Sequence, residues 1–337
     1  MKSIDLQRRA MARGLALGLS GLMGAVARSN PADASWSTLD FAGRSIRIVV
    51  PYPAGGTLDM VARTLAYKLG HAWNATVIVD NRPGASGLIG TDSVVKSVPD
   101  GLTLLLTVTA LIQTPSLMVK MPYDPLKDLT PVNLVARIPT VLVIRSDMPV
   151  NSLPELVALT KANPGKYSLG NYGNGTTSHI QATLLNEQAR LGLPHIPYRG
   201  VSLLVNDLLA GQVTAGFTDT VTVAQHVAAG RLRILAVTGA NRSPRFPDVP
   251  TVSSFGFKNF DAYGWVGLFA PAKVPEPVIA KISREVARSL AEPDFIQKLD
   301  AAAMLPARDS REEFSQLLRT DTAMWASVIK ASNIKMD

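Results

Sequence analysis

Cysteine is absent from the 337-residue chain, which excludes disulfides, thiolate metal sites and a cysteine nucleophile together. Histidine is scarce: His71, His179, His195 and His226 stand far apart, and none falls in H-E-x-x-H or another close ligand pair. No metal and no cofactor are therefore expected. A G-x-S-x-G nucleophile elbow is missing, and so is a G-x-G-x-x-G turn opening the first helix, which leaves a serine hydrolase and a dinucleotide site without support. Gly170–Thr176 comes near the phosphate-cradling G-x-x-x-x-G-K-[ST] pattern but has no lysine before its threonine, so a P-loop is not expected. Lysine and arginine form no dense block with interleaved aromatics, which argues against nucleic acid as a partner.

Long apolar runs are lacking too. Lys2, Arg8, Arg9 and Arg13 precede the uncharged stretch from Gly14 to Ala27, which is shorter than the roughly 18 residues a membrane span needs. That layout predicts a secretory signal peptide over residues 1–34, cleaved after Ala27 or Ala34, and a periplasmic mature protein. Arg8-Arg9 leaves both Sec and twin-arginine export open. Removal of residues 1–34 takes away five basic side chains (Lys2, Arg8, Arg9, Arg13, Arg28) and two acidic ones (Asp5, Asp33), so the net charge falls from +8 to +5. The remaining balance, 47% hydrophobic and 18% charged over the whole chain, is that of an ordinary globular protein.

What is present is an alternation of strands and amphipathic helices. Ile46–Val50, Thr76–Val79 and Leu102–Val108 read as strands; Asp59–Leu69, with Val61, Leu65 and Leu69 on one face, and Leu88–Ser97 read as helices. The series restarts with a strand at Val141–Arg145 and a helix at Ser152–Ala162. Strands at Tyr167–Gly170, 195–198, 212–217 and 232–238 then alternate with helices over 176–190 and 201–210. A strand around Trp265–Phe269 and helices over Pro277–Leu290 and Ser310–Lys330 close the chain. Ser310 and Glu313 have capping-box spacing, and Trp325 falls in the apolar stripe of the last helix, which assigns it to the core. An α/β fold with mostly parallel sheets flanked by helices is expected. The division is residues 36–138 plus 264–337 for one domain and 139–263 for the other.

Two glycine-rich loops, one in each half, join a strand to a helix: Pro51-Tyr52-Pro53-Ala54-Gly55-Gly56-Thr57-Leu58-Asp59 and Gly170-Asn171-Tyr172-Gly173-Asn174-Gly175-Thr176-Thr177. Such loops bring backbone amides and a helix N-terminus to an anion. Hydrogen bonds to a charged acceptor contribute about 1.5–3 kcal/mol each. Three or four of them therefore reach the roughly 8 kcal/mol of micromolar affinity without an arginine. His179 and His195 are candidates to steady the second loop and the Pro197-Tyr198 segment, beside the reading of each as an ordinary hydrogen-bonded histidine.

These segments together resemble the Bug family, periplasmic receptors associated with tripartite tricarboxylate transporters. The resemblance runs from about Ile46 to Lys335 and is carried by Pro51–Gly56 with Asp59 and Arg63, Asn81–Gly87, Pro99-Asp100-Gly101 and Tyr123-Asp124-Pro125 with Asp128. It continues through Gly170–Thr176 with His179, His195–Gly200, Asp219, Arg242-Ser243-Pro244, Asp248–Thr251 and Trp265–Pro271. It implies a two-domain, flytrap-like periplasmic-binding-protein architecture with the ligand cleft between the domains. A small carboxylate solute would be held mostly by backbone amides and water. The implied contacts are Tyr52, Ala54, Gly55, Gly56 and Asp59 on one wall, Asn171, Gly175, Thr176, Tyr198 and Asp219 on the other, and Ala85 and Gly87 at the rim. Inner-membrane transporter subunits are the implied partners of a monomeric receptor without enzymatic activity. Asn171 stands where the family usually has serine, and Ser254 where it commonly has glutamate. Dicarboxylates, tricarboxylates, acidic amino acids and aromatic acids all carry the anchor group, so the solute stays open. Two other readings stand beside this one: an exported α/β enzyme using Asp59, His179 or Asp219 as acid or base, and a sensor that docks on a membrane signalling protein.

Overall fold

The β-branched run predicted at residue 46 forms β1 (Ser45–Val50), which passes through the first glycine loop into α1 (Thr57–Trp73). The computed structural model describes residues 40–331, so the expected leader at 1–34 lies outside the described residues. On α1, Val61, Leu65 and Leu69 are fully buried, as their spacing requires. Next come β2 (Thr76–Asn81), α2 (Leu88–Val95), β3 (Thr103–Val108), α3 (Ala110–Leu117) and β4 (Leu129–Ile138). The second series holds β5 (Thr140–Arg145), α4 (Leu153–Ala162), β6 (Leu169–Asn171), α5 (Thr177–Gln188), β7 (His195–Pro197) and α6 (Val201–Ala210). It ends with β8 (Ala215–Asp219), α7 (Thr220–Ala228) and β9 (Leu232–Val237). The chain then returns through β10 (Gly264–Pro271), α8 (Glu276–Leu290), α9 (Pro293–Ala301), β11 (Leu305–Pro306) and α10 (Arg311–Ala331).

These strands form a six-stranded sheet in the order β11-β4-β10-β3-β1-β2 and a five-stranded sheet in the order β7-β6-β8-β5-β9. Both sheets are mixed, which corrects the expectation of mostly parallel ones. In the first sheet β1 runs parallel to β2 and β3, while β10 is antiparallel to β3 and β4, and β11 to β4. In the second, β6 is parallel to β7 and β8, and β5 is antiparallel to β8 and β9. The reason is topological. β10 comes back from the other sheet and lies down against β3 without the helical crossover that a parallel neighbour needs.

The two connections between the sheets run side by side. Only Pro139 separates β4 from β5. The Thr238 amide donates to the Thr140 carbonyl at 2.8 Å, and Gly264 pairs with Ile138. Gly239, beside this crossing, has a φ of +108°, and a Cβ there would lie 2.1 Å from the Tyr263 ring, so only glycine fits.

The core is built on aromatic clusters: Trp265 and Phe269 lie 5.8 and 5.4 Å from Phe314, and Phe217 stacks on Phe260 at 5.8 Å. Trp325 is fully buried, in agreement with its place in the stripe. The Ser310 capping box forms, Glu313 accepting from the Ser310 amide at 2.7 Å, and Ser152 caps α4 by accepting from the Glu155 amide at 3.3 Å. β4 carries Pro131, which reads as a strand breaker. It is accommodated where the pairing with β10 shifts register, opposite Phe269. α3 contains Pro115 and has no side-chain cap, so nothing local announces it; burial of Leu111, Ile112 and Leu117 holds it in place.

Candidate functional site

The first loop leaves β1 at Pro51 and enters α1 with Gly56 as an uncapped N-terminal residue. Asp59, three residues into the helix, reaches back instead. Its Oδ2 accepts from the Gly55 amide at 3.0 Å and from Arg63 Nε at 2.9 Å. Arg63 also donates to Asn81 Oδ1 at 3.3 Å, and Asn81 Nδ2 donates to the Tyr52 carbonyl at 3.2 Å, which ties the loop to the end of β2. The Arg63 hydrogen bond holds the Asp59 carboxyl below its ordinary value. Asp59 is buried and engaged within its own loop, so it positions Gly55. Ala54, Gly55 and Gly56 are exposed.

Tyr52 turns away from that network. Burial pushes its phenol up to about 12, and its hydroxyl oxygen would lie 3.3 Å from a Cβ at Gly87. A side chain at Gly87 would crowd the Tyr52 hydroxyl, and the positive φ there adds strain to any replacement. Gly84, Ala85, Ser86 and Gly87 have φ of +132°, +46°, +54° and +94°. Two consecutive non-glycine residues in this left-handed region cost about 1–2 kcal/mol each, a strain of the kind that concentrates at functional sites.

The second loop repeats the device of the first. The Gly175 amide donates to His179 Nδ1 at 3.1 Å, again a side chain four residues on, in the first turn of the next helix. Asn171 Oδ1 accepts from the Gly173 amide at 3.0 Å, and the Thr176 hydroxyl donates to the Gly173 carbonyl at 2.7 Å. His179 meets His195 edge to face at 5.7 Å, and His195 Nε2 lies 3.2 Å from Asn186 Nδ2. The steadying role expected of His179 is thus present. Burial lowers the pKa of both imidazoles, and His195 adds to the effect on His179, which keeps His179 Nδ1 free to accept.

A pH dependence follows. The native state holds fewer protons on His179 than the unfolded chain, so its contribution to stability is present above about 6.5 and is lost as pH falls below that value. In urea titrations at pH 7.5 and pH 5.0, His179→Asn is expected to narrow the stability difference that the wild type shows between the two. An unchanged difference would remove His179 from this role.

Two further expected contacts are engaged elsewhere. Tyr198 donates its hydroxyl to Asp207 at 2.8 Å and its amide to the Asn171 carbonyl at 2.9 Å; burial and the Asp207 carboxylate push its phenol up to about 12. Asp219 caps α7, accepting from the Thr222 amide at 2.7 Å and the Thr222 hydroxyl at 3.0 Å. Asn171 Nδ2, by contrast, is buried without a partner.

A cavity of about 240 Å³ joins the two sheets. From the first come Tyr52 and the start of α3, namely Thr109, Ala110 and Gln113. From the second come Thr140, Tyr172 and the start of α5, namely Thr176 and Thr177. Two helix N-termini, one from each sheet, therefore border one space. Amides in the first turn of a helix have no partner within it, and the helix dipole is positive there. None of the described lining residues carries a charge. Gln113 is fully buried and bridges the sheets, its Nε2 donating to Thr177 Oγ1 at 3.2 Å.

The expected contacts divide between two places. Tyr52 and Thr176 share this cavity, whereas Gly55, Gly56 and Asp59 line a second concavity, of about 500 Å³, together with Arg63 and Lys298. Thr109, Ala110 and Gln113 escaped the sequence reading because the turn into α3 has neither glycine nor cap. Tyr172 was visible inside the second loop but carried no signal of its own. Among the described residues no group of histidine and acidic side chains could hold a metal ion, and no helix is long and apolar enough to cross a membrane.

Two mixed sheets meeting at such a cavity are the architecture of periplasmic binding proteins. The chain is similar to the structure of the periplasmic binding protein BugD, with a TM-score of 0.73 at 33% identity over 87% of this chain and 99% of that one. It is similar to R. palustris Rpa4515, solved with adipate, with a TM-score of 0.75 at 29% identity over 87% and 98% of the two chains. The protein BugT of Bordetella pertussis is 33% identical over 298 residues, 88% of this chain and 91% of BugT. The chain belongs to the tripartite tricarboxylate transporter family of receptors, whose family model matches residues 61–334.

Proposed function

We propose that the protein is an exported receptor that captures a small carboxylate between residues 36–138 plus 264–337 on one side and 139–263 on the other. It acts as a monomer in the periplasm after loss of residues 1–34, and it delivers the solute to inner-membrane transporter subunits. The observation that carries this reading is the meeting of the α3 and α5 N-termini at one uncharged cavity. A carboxylate there gains charge-assisted hydrogen bonds of about 1.5–3 kcal/mol each from amides and threonine hydroxyls. The adipate in Rpa4515 supports the same ligand class. Closure about the paired crossing at Pro139 and Gly239 would bring the two loops together, driven by tighter binding in the closed state. Tyr52, Ala54, Gly55, Gly56, Ala85 and Gly87 form the first-loop side of the proposed site. Asn171, Gly175 and Thr176 form the other, with Asp59, His179, Tyr198 and Asp219 holding the loops in shape.

Gly56 gives a clean test. Its backbone is extended (φ −82°, ψ 173°), and a Cβ there would meet nothing nearer than the Pro53 carbonyl at 3.9 Å, so a side chain is tolerated by the fold. Gly56→Phe is expected to weaken carboxylate binding by at least about tenfold in titration calorimetry, or about 1.4 kcal/mol, with unchanged circular dichroism. Wild-type affinity in this variant would remove the first loop from the site. A wild-type protein that bound no carboxylate would overturn the receptor reading itself.

A further inference from the structure

The receptor reading leaves the solute open, and the chemistry of the cavity narrows it. Beyond the polar groups at the two helix starts and the Thr140 hydroxyl, which is taken up by Gln181 and Thr238, the walls are apolar: Val108 and Ala110 from the first sheet's side, Ile138 and Gly264 at the crossing, and the rings of Tyr52 and Tyr172, one from each glycine loop. Gln113 is the one side-chain amide among the described lining residues, and its Nε2 is bonded to Thr177. Both phenols are held far from ionisation by burial, so the rings present neutral surfaces. No lysine, arginine or histidine is among the described lining residues.

Resting on the proposed function, we infer that the solute is a carboxylate with a single charge and an apolar, ring-sized body. Charge decides the first half. One carboxylate is met by the two helix N-termini, but a second one inside the same cavity would be desolvated with no cation to face, which is strongly unfavourable. Volume decides the second half. An apolar cavity of about 150 Å³ holds one benzene; the 240 Å³ here gives room for a six-membered ring together with its carboxylate. Tyr52 and Tyr172 supply the flanking surfaces that a flat or ring-shaped body prefers. A short hydroxylated diacid would leave those rings unused.

The test is titration calorimetry on the wild-type protein, purified without residues 1–34, with benzoate, cyclohexanecarboxylate, adipate, malate and benzamide as separate titrants. Benzoate or cyclohexanecarboxylate is expected to bind at least about tenfold more tightly than adipate and malate. Benzamide, which keeps the ring and lacks the charge, is expected to bind at least about tenfold more weakly than benzoate. Adipate or malate binding as tightly as the monoacids, or more tightly, would overturn the single-charge assignment while leaving the carboxylate receptor intact. Benzamide binding as well as benzoate would overturn the role of the charge. Binding by none of the four acids would sink both the inference and the receptor reading under it.

Discussion

Truncating Trp265 to alanine is expected to cost about 4 kcal/mol of stability, near the top of the range for large-to-small changes in a core. Trp265 is 1% exposed and packs against Phe314 at 5.8 Å and Phe269 at 6.1 Å, so little around it can collapse into the space it would leave. The loss would reach the cavity as well. Trp265 sits on β10 with its amide donating to Thr109 Oγ1 at 2.7 Å and its carbonyl accepting from the Thr109 amide at 3.2 Å, and Thr109 begins the helix that borders the cavity. Guanidinium denaturation would measure the stability, and benzoate calorimetry the binding. A loss below about 2 kcal/mol would show that the neighbouring rings close the gap.

The same indole leads to a change of opposite sign. Its Nε1 donates to Asp321 Oδ2 at 3.3 Å, a long bond for a carboxylate that is only 6% exposed. The cation that could compensate, Arg137, is already bound to Asp309 through two hydrogen bonds of 2.9 and 2.6 Å. Burial accordingly pushes the Asp321 carboxyl up to about 6. Between the unfolded value near 4 and the folded value near 6, the native state holds more protons than the unfolded chain. Stability from this group is therefore present at low pH and lost as pH rises through that window. Asp321→Asn, which keeps an acceptor for the indole without the charge, is expected to stabilise the protein by about 2 kcal/mol at pH 8 and to change little at pH 4. Equal effects at the two pH values would show that the charge is not the cause. Because the indole and the carboxylate touch, the Trp265 and Asp321 changes should not add when combined.

The alternation of strand and helix was legible because each element carries its own pattern: the buried face of α1, the helix start at Ser152, the capping box at Ser310, the apolar run of β3. The mixed direction of the strands was not, since β10 looks the same locally whether it runs parallel or antiparallel to β3. α3 was hidden by Pro115, and β4 by Pro131, residues that local rules read as breakers and that tertiary packing overrides. The site divided in the same way. Both glycine loops were visible, and His179 was marked as a support of the second, yet the matching role of Asp59 on the Gly55 amide emerged only once the helix was placed four residues on. Gln113 and Thr109 gave no sign at all, because their importance comes from which helix starts the folded chain brings together.

The internal locking of the two loops, Gly55 to Asp59 and Gly175 to His179, has an evolutionary corollary. Asp59 and His179, which lock the loops, are distinct from the residues that face the cavity, so the facing set can drift while the locks stay fixed. Exchanges at Tyr172, Val108 or Ile138 could redirect the protein toward a new solute in single steps. The cradle beneath would remain intact, a separation of shape from choice that lets one scaffold serve many diets.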